Sequence, residues 1–178
     1  MLFVDAAHFV LASFLGWVWC AMRLFVRGAS GRQRYNVLGA VNPLTQELIR
    51  VCNQTYINSH TVCELLHKIA AAGFLTPITL VLDNAAYQRC QLVQDLAQQL
   101  NIELLFLPSY SPNLNLIERL WKFVKKQALH SRHHTNYADF QAAIDTCLAQ
   151  LATTHKPAVA SLLTLKFQTF LNVPMLSA

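Results

Sequence analysis

The chain has 178 residues, enough for one domain with a real core and hardly for two. Hydrophobic residues make up 54% and charged residues only 13%, which excludes a disordered chain and points to a well-buried α/β domain. The formal charge of +5 suits a polyanionic partner but does not by itself identify one.

Residues 2–10 read as a first strand buried on both faces, with Asp5 set among apolar neighbours. The apolar run 9–22 imitates a membrane span. It is shorter than the roughly 20 residues a span needs, and Asp5, His8 and Arg23 bracket it. With Asp5 as the first charge it also lacks a signal peptide's basic leader, so a soluble protein with no membrane partner is expected. The run stays open between a loop with its own apolar cluster and a strand through Trp17, Val18 and Trp19. Gly28, Ala29, Ser30 and Gly31 mark a break. Residues 34–41 and 47–56 read as strands joined by a turn at Asn42 and Pro43.

The period then changes. Ser59 is the expected N-cap of a helix whose apolar stripe is Val62, Leu65, Leu66, Ile69 and Ala70, stopping at Gly73. A strand over 78–82 leads into Asp83, and a helix over 87–100 follows. A fifth strand over 102–107 is stopped by Pro108, and a helix runs from Asn115 to about residue 129. Another helix carries Phe140, Ala143, Ile144, Cys147, Leu148 and Leu151, while the tail from Pro157 stays open between helix and strand. Three meandering strands followed by alternating helices and strands predict a mixed five-stranded sheet flanked by helices, an antiparallel meander plus two parallel strands. In such a sheet the ends of the first and fourth strands are neighbours, which brings Asp5 beside Asp83.

Five cysteines (Cys20, Cys52, Cys63, Cys90, Cys147) are odd in number and scattered, reading as buried thiols in a reducing compartment. Of only nine acids, three sit at the edges of apolar segments: Asp5, Asp83 and Glu118. Carboxylates from two strand ends and one helix can converge into a site for hard divalent cations, the apparatus for cutting phosphodiesters. Each has a bland alternative. Asp83 can simply start a turn, and Asp5 can pair with Arg34. Glu118 can close a capping box with Asn115, or pair with Lys122 at i,i+4. Trp121 reads as core and His8 as a packed or hydrogen-bonded residue. No acid falls between Asp5 and Glu47, where Arg23, Arg27, Arg32 and Arg34 lie. Lys122, Lys125 and Lys126 follow Glu118 on its helix. These basic residues are either a solvated face or contacts to a phosphate backbone.

The stretch Val81, Leu82, Asp83, Asn84, Ala85, together with the block from Leu105 through Pro108, Tyr110, Ser111, Pro112, Asn115, Glu118, Arg119 and Trp121 to Lys125, closely resembles the catalytic domain of DDE transposases. The branch it resembles is the bacterial insertion-sequence group related to mariner elements, and the 34 residues between Asp83 and Glu118 match that group's spacing. The likeness runs from about Leu2 to Ile144 and includes the segment from Gly31 to Gly39. It implies a ribonuclease H-like fold with Asp5, Asp83 and Glu118 as catalytic triad and metal ligands for two Mg2+ or Mn2+ ions. It also implies DNA as partner (element ends and target), a homodimer, a place in the bacterial cytoplasm at the nucleoid, and DNA contacts from Arg32, Arg34, Lys122, Lys125 and Lys126. Residues 1–155 are then the catalytic domain and 156–178 a C-terminal tail, with the family's N-terminal helix-turn-helix region expected to be absent. Ala6 departs from the relatives that carry a second acid after the first aspartate. A nuclease of the same fold without strand transfer and a non-catalytic DNA-binding remnant are the alternative readings.

Overall fold

A computed structural model of the chain describes residues 1–11, 33–108 and 111–167. The expectations for Trp17 to Trp19, Cys20, the break at Gly28 to Gly31, and Arg32 lie outside them.

Three strands open the fold: β1 (Leu2–Leu11), β2 (Gln33–Val41) and β3 (Leu48–Asn53). They are paired antiparallel, with Asp5 opposite Gly39 and Gly39 opposite Arg50. After α1 (Ser59–Ala71) the chain lays β4 (Ile78–Leu82) parallel to β1. The helix α2 (Gln91–Gln99) then returns it to β5 (Ile102–Phe106), parallel to β4. The sheet order is β3-β2-β1-β4-β5. A 3-10 turn (Pro112–Leu114) leads into α3 (Ile117–Ala128), α4 (Tyr137–Ala149) and α5 (Lys156–Leu162). This is the mixed, ribonuclease H-like sheet expected from the sequence.

The two-residue alternation of a strand builds a core on each face of the sheet. Leu2 and Val4 of β1 join Leu38, Ala40, Leu80 and Leu82 beneath Val62, Leu65, Leu66 and Ile69 of α1 and Val93 and Ala97 of α2. Phe3, Ala7 and Phe9 point the other way, joining Tyr35, Val37, Val41 and Val81 beneath α3, α4 and α5. Asp5 has the parity of Phe3 and Ala7 and therefore faces α3. Full burial of each such aliphatic or aromatic side chain contributes about 1.5–3 kcal/mol. A carboxylate placed among them is held by many kilocalories of surrounding packing.

Several local expectations are corrected. Asn58, not Ser59, caps α1: its side chain accepts from Thr61 N at 3.0 Å, and the Thr61 hydroxyl accepts in return from Asn58 N. The second helix starts at Gln91 rather than 87, because residues 86–88 turn back, with Gln88 N bonded to Ala85 O at 3.0 Å. The third strand stops at Asn53, three residues short of expectation, where Asn53 Nδ2 donates to Tyr56 O and closes a bend. The tail left open from Pro157 begins as helix: α5 buries Val159 in the core, and Arg119 of α3 donates to the carbonyls of Leu162, Thr164 and Lys166. No described helix is long and apolar enough to cross a membrane.

Candidate metal centre

Parallel pairing sets Val4 beside Leu82, so the next residues on the two strands are Asp5 and Asp83. Beyond this point β1 continues along β2 alone, while β4 has ended. The carboxyl end of a parallel strand beside a longer neighbour is the crevice in which open α/β sheets place their sites. Glu118 reaches the same crevice from the first turn of α3. One carboxylate oxygen from each of Asp5, Asp83 and Glu118 lies within 4.8 Å of the others, and all three side chains are half-buried.

Electrostatics penalise this cluster in isolation. Two like unit charges 4.8 Å apart repel by about 3 kcal/mol at an effective dielectric near 20. The carboxyl of Asp5 is raised from 3.8 to about 7, first by burial and then by the charges of Glu118 and Asp83. The amide of Ala6 and the indole of Trp121 pull the other way. Oxygen-only donors within 4.8 Å suit a hard cation, whose bonds to oxygen run from about 2.0 to 2.6 Å. The donor set therefore fits magnesium or manganese, and a dication would relieve the repulsion.

Two neighbours hold the aspartates in place. Trp121 Nε1 donates to Asp5 Oδ2 at 3.0 Å, and Asn115 Nδ2 donates to Asp83 Oδ1 at 3.0 Å. Asn115 Nδ2 also donates to Val4 O at 3.0 Å, tying β1 next to Asp5 to the entry of α3. The indole fits because the facing residue is a glycine. A Cβ on Gly39 would stand 2.9 Å from the Trp121 ring and 2.9 Å from Leu48 Cδ1. Tyr87, just after the Asp83 turn, is also near the site. Its phenol is pushed up to about 12, mainly by burial and then by the charges of Asp5 and Asp83.

The bland alternatives fare unevenly. The ion pairs among the described residues are Arg50–Asp145 and Lys68–Glu64, so neither Asp5–Arg34 nor Glu118–Lys122 forms. Arg34 pairs with Val10 in the β1–β2 register, five residues or roughly 17 Å along the strand from Asp5. The Asn115 capping box is absent: α3 has no side-chain cap, and the Asn115 amide is engaged with Val4 and Asp83. His8 is hydrogen-bonded, as expected, with Nδ1 2.7 Å from Asn36 Oδ1. Trp121 is core, 2% exposed, but with its one polar atom on Asp5. Lys122, Lys125 and Lys126 are exposed on the helix that carries Glu118. At 1.5 Å rise per residue they stand about 6 to 12 Å along its axis from that carboxylate.

Sequence reasoning missed Asn115, Trp121, Gly39 and Tyr87. For two of them a signal was present: Asn115, Glu118 and Trp121 recur every three residues, which stacks them along one side of a helix.

The family model described as DDE superfamily endonuclease matches residues 2–141. No curated protein matches the chain. Among solved structures, the Mos1 strand transfer complex superposes with a TM-score of 0.62 at 15% identity, covering 94% of this chain and 55% of that one. The Mos1 mariner paired-end complex with Mn gives 0.60 at 15%, covering 94% and 56%. The Mos1 transposase catalytic domain with raltegravir and Mn gives 0.54 at 16%, covering 76% and 78%. At such identities the likeness concerns the fold, and the chain spans about 55% of the length of the first of these structures. With a family match over residues 2–141 and the carboxylates gathered at one sheet end, the chain belongs to the DDE superfamily endonucleases.

Proposed function

We propose that the chain is the catalytic part of a DNA transposase of the insertion-sequence group related to mariner, cutting phosphodiesters at element ends and joining them to target DNA. The observation that carries this reading is the gathering of Asp5, Asp83 and Glu118 from three elements within 4.8 Å. The family match supports it, as does the fold shared with Mos1, whose complexes include strand transfer and Mn-bound forms.

In this reading Asp5, Asp83 and Glu118 are both catalytic residues and ligands of two Mg2+ or Mn2+ ions. Bound dications would supply activation of the attacking oxygen and stabilisation of the leaving one. The protein's part is placement. Asp5 presents its oxygens from within β1 and Asp83 from the end of the neighbouring β4, and Glu118 closes the site from α3. Asp5 must give up its proton for the triad to act as three anions, which the approach of a dication favours. Lys122, Lys125 and Lys126, together with Arg32 and Arg34, hold backbone phosphates and position DNA without reading its sequence. Residues 1–155 form the catalytic unit, with 156–178 as its C-terminal tail. A homodimer on DNA is the expected working form, in the bacterial cytoplasm at the nucleoid.

The test is nicking of supercoiled plasmid with Mn2+, followed by joining of a 3′-hydroxyl oligonucleotide into plasmid. Wild type is expected to do both, and EDTA or Asp83→Ala to stop both. Cleavage without joining would select a nuclease of this fold instead. DNA binding without metal-dependent cleavage would select a non-catalytic remnant.

A further inference from the structure

Around the three acids, α3 and its entry supply two uncharged side chains at regular spacing. Asn115, Glu118 and Trp121 follow one another every three residues, so a donor, a carboxylate and a donor face the same crevice. Each donor takes one aspartate: Asn115 Nδ2 holds Asp83 Oδ1 and Trp121 Nε1 holds Asp5 Oδ2, both at 3.0 Å. Both are deeply buried, Asn115 at 1% and Trp121 at 2% exposed, where a hydrogen bond is strong and its loss leaves an unpaired group. The amide orientation of Asn115 is fixed by chemistry. Its Nδ2 faces two acceptors, Val4 O and Asp83 Oδ1, and the flipped amide would set oxygen against oxygen. Its Oδ1 is buried with no hydrogen-bond partner, so the residue is not there to satisfy itself. An apolar side chain would fill the same space without an orphaned oxygen. A capping role is also excluded, since α3 has no side-chain cap.

We propose that Asn115 and Trp121 are positioning residues of the metal centre: their N–H groups lock Asp83 and Asp5 in the orientation in which, with Glu118, they receive a divalent cation. Asp5 stands on a strand, Asp83 directly after one and the glutamate on a helix, so nothing in the sheet alone fixes the glutamate against the aspartates. Asn115 and Trp121 make that connection, one on each side of Glu118. Gly39 belongs to the same device, because its missing side chain leaves room for the indole beside Asp5. Neither residue offers the cation a ligand through the atom that contacts the aspartate, since both contacts are N–H donors. They act through the carboxylates. Outer partners of this kind typically shift metal affinity by about 10- to 100-fold when removed.

The inference rests on the proposed metal reading, and the experiment separates the two. Mn2+ affinity of the purified full chain is measured by electron paramagnetic resonance, well below the melting temperature, for wild type, Trp121→Phe, Asn115→Ala and Leu120→Ala. Leu120 is fully buried on the same helix and touches none of the three acids through a hydrogen bond. Its truncation costs stability by opening a cavity, and so reports what packing alone does to affinity. Trp121→Phe and Asn115→Ala are expected to weaken Mn2+ binding by about tenfold or more, and Leu120→Ala by less than twofold. Folded variants at positions 121 and 115 that bind as wild type does would overturn the positioning role and leave the metal reading intact. A wild type that binds no Mn2+ would overturn both. Should either variant not fold, the wild-type indole N–H resonance of Trp121 is followed by NMR during Mg2+ titration, assigned by elimination with Trp17→Phe and Trp19→Phe. It is expected to shift as Mg2+ saturates, and a resonance that stays still would overturn the proposal.

Discussion

Asp5 carries a cost that only a ligand removes. Its carboxyl is raised from 3.8 to about 7, so the folded state holds a proton that the unfolded state has released. Between those values stability therefore falls as pH rises, and above about 7 the penalty is constant. Melting temperatures in EDTA are expected to drop between pH 4 and pH 7 by more in wild type than in Asp5→Asn, which has no such proton to lose. Equal slopes in the two proteins would remove Asp5 as the source. The same proton must leave when a cation binds, so Mg2+ affinity is expected to climb from pH 5.5 to pH 7.5 and then level off, as calorimetry in two buffers would read. Each of Asp5→Asn, Asp83→Asn and Glu118→Gln is expected to raise the melting temperature without metal and to abolish its rise with Mn2+. A single variant still stabilised by Mn2+ as wild type is would be dismissed from the triad.

At the scale of elements, the sheet was readable because its strands are marked by composition and their ends by polar residues. Leu2 to Val4 and Ile78 to Leu82 are buried runs that each end in an aspartate, and parallel pairing of the two follows from the crossover through α1. What could not be read was competition for a single side chain. Asn115 has the spacing of a capping residue, yet its Nδ2 donates to Asp83 and to the carbonyl of Val4, and in that orientation its Oδ1 takes no helix amide. Asn58 and Ser59 are both good caps, and only the reciprocal bond with Thr61 selects Asn58. The role of Gly39 is invisible in sequence because its reason, the Trp121 ring, arrives 82 residues later (121 − 39). Gly39→Ala is expected to push that ring off Asp5, lowering the melting temperature and weakening Mn2+ binding together. An alanine that leaves both unchanged would show that the ring yields at no cost to the site.

Across the whole molecule the charge is +5, with Lys122, Lys125 and Lys126 exposed on the helix of Glu118, where the proposed function has them meet a phosphate backbone. DNA binding is expected to weaken steeply with salt and to differ little between sequences. Removing each of these lysines should lower the slope of log affinity against log salt by about 1. A slope unchanged in Lys122→Ala, Lys125→Ala and Lys126→Ala would send the DNA path elsewhere. The account as a whole depends on where a divalent cation binds. Crystals soaked in Mn2+ and measured at the manganese edge are expected to show anomalous peaks within coordination distance of Asp5, Asp83 and Glu118. Manganese held by other residues, with those carboxylates bare, would contradict it.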